Sequence, residues 1–243
     1  GRTAAEIFDR DVPDAIVNTL DFTSSEAADD LEAMRAHVHT YEDYHALQKA
    51  LADNGWMAFV ADGSMLARLS GVSQLPMEDA VAFESPESLR REVTLPHAGL
   101  VRGMAIEPGV TVIVGGGYHG KSTLLNALQR GVYAHIPGDG RELVATVDDA
   151  VKVRAADGRA VTGVDVSPLI TELPGGADTA RFTTENASGS TSQAASIMEA
   201  IELGTRLLLI DEDSSASNLL MRDSRMRTLV ESEPITPLVD RIR

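Results

Sequence analysis

Val110-Thr111-Val112-Ile113-Val114-Gly115-Gly116-Gly117-Tyr118-His119-Gly120-Lys121-Ser122-Thr123 joins a β-branched run to a glycine-rich turn and then to a lysine and two hydroxyls. The run 110–114 lacks polar alternation, which predicts a parallel strand covered on both faces. Gly115 and Gly120, followed by Lys121 and Ser122, match the Walker A spacing. Glycines let the backbone turn its N–H groups toward one point. Lys121 brings positive charge to β- and γ-phosphates, and Ser122 offers a hydroxyl to Mg²⁺. Gly115, Gly116, Gly117, Tyr118, His119, Gly120, Lys121, Ser122 and Thr123 are therefore the expected nucleotide-contacting residues, with His119 shaping the loop rather than exchanging protons. Leu124, Leu125, Ala127 and Leu128 continue as a helix whose N-terminus faces the phosphates.

Downstream, Leu207–Ile210 has the same buried-strand character, and Gly204 ends a helical pattern before it. Two such strands, each followed by polar chemistry, predict an α/β core with its site at the carboxyl ends of the strands. Asp211 and Glu212 follow directly. In a P-loop enzyme the aspartate supports Mg²⁺, and the glutamate polarises the water that attacks the γ-phosphate. Without the phosphate loop, Asp211-Glu212-Asp213 would read as a solvated acidic turn. Between the strands, Ser190-x-x-Gln193 forms a capping-box pattern ahead of Ala194, Ile197, Met198 and Ile201 on one helical face. A Ser- and Gly-rich helix N-terminus can hold a phosphate; an ordinary capped helix without a ligand fits the same residues.

The chain has 243 residues, 43% of them hydrophobic, no cysteine and a formal charge of −16. That excludes disulfides and Cys-ligated metals, leaves oxygen ligands for any cation, and opposes electrostatic collection of nucleic acid. The start has no signal-peptide core and no run reaches the ~18 apolar residues of a membrane span, so a soluble, cytoplasmic protein is expected. Its lysines are Lys49, Lys121 and Lys152. Helical patterns over 3–22 and 26–53, including Leu31, Met34, Val38 and Leu47, predict an N-terminal helical appendage, residues 1–55. Residues 58–60, 80–83, 93–95 and 100–106 read as short strands of an antiparallel sheet beside the core. The core is assigned to 56–243. The absence of an initial methionine, and of a further strand after the second one, predicts a piece of a longer protein truncated at its C-terminus.

Three linked stretches resemble the ABC class of P-loop ATPases: Walker A, the Walker B-like Leu207–Ala216 with a D-loop at Ser215–Asn218, and Ala187–Thr191 in the place of the signature. Ser188 lies 23 residues before Asp211, similar to the family's interval. With His135–Glu142 and Ala187–Gln193, the chain looks like the little-characterised "predicted ATPase of the ABC class", over 56–243 and less over the first 55. The resemblance implies an α/β P-loop NTPase core of ABC type, with an antiparallel β subdomain and a helical signature region. It also implies ATP and Mg²⁺ as ligands, Glu212 and Lys121 as catalytic residues, and Ser122 and Asp211 as the metal-supporting pair. Ser188, Gly189 and Ser190 would touch the nucleotide of a second subunit in a homodimer. The alternative is an ATP-gated RNA- or DNA-binding module; a transporter motor is the weakest reading.

The departures are specific. Ser190 replaces a glycine, Asn218 an aspartate and Asp213 a proline, and no glutamine stands at the coupling-loop interval, where Asp165 or Ser167 is found. No histidine follows Asp211 to act as a switch. Phe83 reads as a core residue or an adenine contact. His135–Glu142 reads as a surface turn or an approach to nucleotide or partner. Arg222, Arg225 and Arg227 read as a solvated helical face, and Arg181 could reach phosphate across a dimer.

Overall fold

A computed structural model describes residues 2–20, 28–222 and 234–241. Four strands, β1 (Ala58–Ala61), β2 (Arg90–Leu95), β3 (Gly99–Ile106) and β4 (Val144–Thr146), form an antiparallel sheet in the order β2-β3-β1-β4. Every residue of β1 is buried, because the sheet is covered twice. Phe59 and Ala61 face helix α3 (Ala28–Asn54), against Tyr44, Leu47 and Leu51. Ala58 and Val60 face helix α4 (Lys121–Arg130), against Leu125, Ala127 and Leu128. Successive side chains point to opposite faces, so a strand buried on both must be apolar throughout.

Helix α3 changes character along its length. Met34 and Val38 are exposed, whereas Leu47 and Leu51 are in the core, and Tyr44 Oη donates to the Gly131 carbonyl at 3.1 Å. Its last turns thus join the sheet to the end of α4. Ahead of it, residues 2–20 form α1 (Arg2–Glu6), a π-helical turn and α2 (Val12–Leu20), whose described side chains are exposed.

A second core is built from β5 (Val151–Val153), β6 (Arg159–Val164), β7 (Phe182–Ala187), α5 (Gly189–Glu202), β8 (Leu208–Ile210) and α6 (Ser217–Leu220). β6 and β7 pair antiparallel, and β5 pairs parallel with β8. Val153, Val161, Phe182, Ala194 and Ile197 pack together with Leu219. β8 joins the two cores: Leu209 faces the α4 cluster, while Leu208 and Ile210 face the second.

The structure corrects several expectations. Residues 110–114 are not a strand: Val110, Val112 and Val114 are 65%, 71% and 81% exposed, and Ile113 alone packs against the α4 cluster. β propensity needs a ladder partner to be expressed, and among the described residues β5 and β8 pair with each other rather than with this segment. Residues 80–83 are not a strand either. Phe83 exchanges single bonds with Gly63 and Ser64, but the next backbone donor, Ser85 N–H, goes to the Asp62 carboxylate at 2.6 Å, which stops the ladder. Phe83 packs against the α4 cluster. Asp165 accepts the Ser167 N–H in a local turn. Arg222 is half-buried outside any helix, and Arg225 and Arg227 lie outside the described residues.

Candidate functional site

Gly120 caps α4 at φ +81°, a left-handed backbone that glycine adopts without strain. The first intrahelical bond runs from Leu124 N–H to the Gly120 carbonyl, so the N–H groups of Lys121, Ser122 and Thr123 have no intrahelical acceptor. His119 Nδ1 accepts the Gly116 N–H at 3.1 Å and folds the loop on itself. Tyr118 turns outward at φ 62° with its ring fully exposed. Lys121 Nζ donates to the carbonyls of Gly115 and Gly116 at 2.7 and 2.9 Å, which places the ammonium over the loop. Free N–H groups, the positive helix end, an ammonium and the exposed Ser122 hydroxyl are one concentrated anion-binding array.

Asp211 follows β8 and caps the turn Glu212–Ser214, its Oδ1 accepting the Asp213 N–H at 3.3 Å. Glu212 is exposed. Lys152 on β5 is the residue the sequence reading did not single out for the site. Its Nζ lies 3.6 Å from Asp211 Oδ2 and donates to Asn126 Oδ1 at 3.3 Å. Asn126 is four residues beyond Ser122 on α4, and such residues lie on one helical face. The acidic end of β8 is therefore held against the helix that carries the phosphate loop. The available signal was a lysine flanked by two valines in a chain nearly devoid of lysine. The residue types suit Mg²⁺, since the Ser122 hydroxyl and the Asp211 carboxylate are hard oxygen donors; Asp211 Oδ2 faces the Lys152 ammonium.

The proposed signature segment is organised differently from its capping-box expectation. Ser188 is the N-cap of α5, two residues earlier than expected, so Gln193 lies beyond the N3 position that could reach back. Gln193 is instead fully buried; its Nε2 donates to Ser215 Oγ at 2.9 Å and its Oε1 accepts the Ala216 N–H at 2.8 Å. Ser188 Oγ lies 3.0 Å from Thr191 Oγ1, and Ser190 Oγ accepts from Asn218 at 3.5 Å. A Cβ on Gly189 would lie 3.1 Å from Asp157 Oδ1. Of the predicted apolar face, Ala194 and Ile197 are buried, whereas Ile201 is exposed. The segment is thus bolted to the turn after Asp211. No hydrogen bond or ion pair among the described residues links Ser188, Gly189 or Ser190 to the phosphate loop.

A phosphate loop opening α4, with a strand-end aspartate tied to the same helix, defines a P-loop nucleotide-binding domain. The chain belongs to the ABC_ATPase P-loop family, whose model matches residues 30–243. It is 34% identical over 188 residues to the uncharacterized protein MJ1628 of Methanocaldococcus jannaschii, a stretch that covers 72% of this chain and 41% of that protein. The chain therefore spans well under half the length of this relative. No described helix is long and apolar enough to cross a membrane.

Proposed function

We propose that the chain binds Mg²⁺ and ATP at Gly115–Thr123 and hydrolyses the nucleotide when a second copy closes over it. The observation that carries this reading is the Asn126–Lys152–Asp211 chain of contacts, which brings the acidic strand end to the phosphate-loop helix. The loop N–H groups and Lys121 hold the β- and γ-phosphates, and Ser122 and Asp211 hold the cation. Bound Mg²⁺ neutralises charge that develops on the phosphate oxygens. Glu212 orients the attacking water and accepts its proton as the water oxygen bonds to the γ-phosphorus; the bond to the β-phosphate oxygen breaks with its electron pair left on ADP, and the proton leaves Glu212 as ADP and phosphate depart.

Ser188, Gly189 and Ser190 serve the nucleotide of the opposite copy. Support comes from their position at the start of α5, a 14-residue helix whose positive dipole end favours an anion. The buried Gln193 then couples that helix to the residues after Glu212, so closure and the acidic turn move together.

The test uses Ser190→Glu. A carboxylate in the first turn suits the helix dipole, so α5 remains folded, yet it repels a phosphate brought in from the other copy. ATP affinity of the separate chain is expected to be unchanged, with turnover reduced ~10²-fold or more. Mixing Ser190→Glu with Lys121→Ala leaves one composite site intact in a mixed dimer, and activity should partly return. Mixed dimers with one site occupied and no recovered turnover would remove the action in trans. Glu212→Gln should bind ATP normally and lose ~10²-fold in turnover; near-normal turnover would remove Glu212 from this role.

A further inference from the structure

Three arginines of this acidic chain, Arg68, Arg130 and Arg141, line one cleft, whose arginine end the reading above does not use. A cleft of about 300 Å³ runs along α4, lined by Thr123, Asn126, Gln129 and Arg130 on one side and by Arg68 and Arg141 on the other. Arg141 belongs to the turn-rich motif His135–Glu142. That motif packs directly on the loop after β1: the Gly140 carbonyl accepts the Met65 N–H at 2.8 Å, and a Cβ on Gly140 would lie 2.7 Å from Met65 Cβ. The close approach sets both arginines facing the cleft. Arg68 pairs with the Asp139 carboxylate at 2.6 Å and with the Asp139 carbonyl at 2.7 Å. Arg141 uses Nε and Nη2 on the Leu66 carbonyl.

The cluster is incomplete in charge and in hydrogen bonding. Among the described residues, Arg68 and His135 share one Asp139 carboxylate oxygen, and neither Arg130 nor Arg141 has an ion pair. Burial lowers the His135 pKa below its ordinary value despite Asp139. Among the described residues, Arg68 Nε and His135 Nε2 are buried without a hydrogen-bond partner. Burial, followed by the Arg68 charge, pulls the Arg141 guanidinium down to about 10, still protonated at neutral pH. Arg130 and Arg141 thus lack an acidic partner among the described residues of this −16 chain, which is unfavourable for the buried Arg141.

We propose that this cleft binds a phosphate monoester, separate from the triphosphate at the phosphate loop. A monoester at neutral pH carries close to two negative charges and several strong acceptor oxygens, which matches the surplus charge and the planar guanidinium donors. The helix rise of 1.5 Å per residue puts Arg130 about 10 Å from Thr123 along α4, so a group at the arginines does not overlap the phosphates held at the N-terminus. The monoester belongs either to a small sugar phosphate or to the 5′ end of a nucleic-acid strand.

The experiment measures binding of ribose 5-phosphate by calorimetry with the phosphate loop saturated by Mg-ATP. Arg130→Gln is the primary variant, because Arg130 is exposed and its loss leaves the fold intact; Arg130→Lys retains the charge. Saturable binding, weakened about tenfold by the glutamine variant and largely restored by lysine, with ATP affinity unchanged in both, is the expected result. A 5′-phosphorylated hexauridylate that competes while its 5′-hydroxyl form does not assigns the strand end as the source. Competition by neither assigns the small ester. Binding that is absent with ATP present, or indifferent to Arg130→Gln, or abolished by Lys121→Ala, overturns the proposal. The last outcome would place the ligand in the phosphate loop. The result is independent of hydrolysis, so failure here and failure of the ATPase reading are read separately.

Discussion

Strand β1 and the segment 110–114 are both short and apolar, and by composition the second is the better strand former. Ala58–Ala61 contains only one β-branched residue, yet it is buried at every position between β3 and β4. Val110–Val114 is β-branched throughout, yet among the described residues it has no ladder partner and it exposes all three of its valines. The difference lies in neighbours rather than in propensity. A backbone strand is stable when both its edges and its faces are matched, and β1 has two paired edges with α3 and α4 on its faces. In this molecule the most buried elements maintain the fold, while the exposed segment leads straight into the phosphate loop.

The strongest test of that division is Phe59→Ala. The side chain is fully buried between α3 and the sheet, so its loss should destabilise the chain by about 3–5 kcal/mol in urea unfolding. A cost under about 1 kcal/mol would show that this core is not closed as described.

Lys121→Ala tests the opposite region. It should leave stability nearly unchanged and weaken ATP binding roughly a hundredfold, about 3 kcal/mol, through the loss of charge-assisted bonds to phosphate. Unaltered affinity by calorimetry would remove Lys121 from the phosphate site.

Val112→Ser sharpens the comparison most directly. With its side chain already exposed, the substitution should change stability by less than about 0.5 kcal/mol. A cost near 2 kcal/mol would mean that 110–114 is paired and covered in solution.

The smallest expected effect concerns His135. Its folded-state pKa is lowered, first by burial, so the unfolded chain binds more protons just below the usual value near 6.5. The stabilising contribution is complete above that value and declines as pH falls through it toward the lowered one. Urea midpoints should therefore drop from pH 7 to pH 5, and His135→Gln should flatten that part of the profile. An identical slope in the variant would dissociate His135 from it.

Lys121, Ser122, Asp211 and Glu212 could be proposed from the sequence because each proposed role depends on residue type at a fixed spacing from its own backbone turn. The helix read at 26–53 and the strands read at 58–60, 93–95, 100–106 and 207–210 were similarly readable from periodicity and punctuation, whereas the strand read at 80–83 does not form and β4 was not read. The cap of α5 was read two residues late, since Ser188 and Ser190 are equally good caps and only the packing of Gln193 on Ser215 and Ala216 chooses between them. Phe83 could not be assigned in advance because the competing acceptor, Asp62, lies 23 residues away from Ser85.

By itself the amino-acid sequence determined the phosphate loop, the acidic strand end and the charge balance, all local matters of residue identity and spacing. Only the tertiary structure decided that Lys152 joins Asp211 to α4, that Val110–Val114 goes without a ladder, and that Arg68, Arg130 and Arg141 share a cleft. Each of those depends on contacts between residues distant in the chain. Such contacts are selected by the summed burial and pairing of whole elements, which no local pattern encodes.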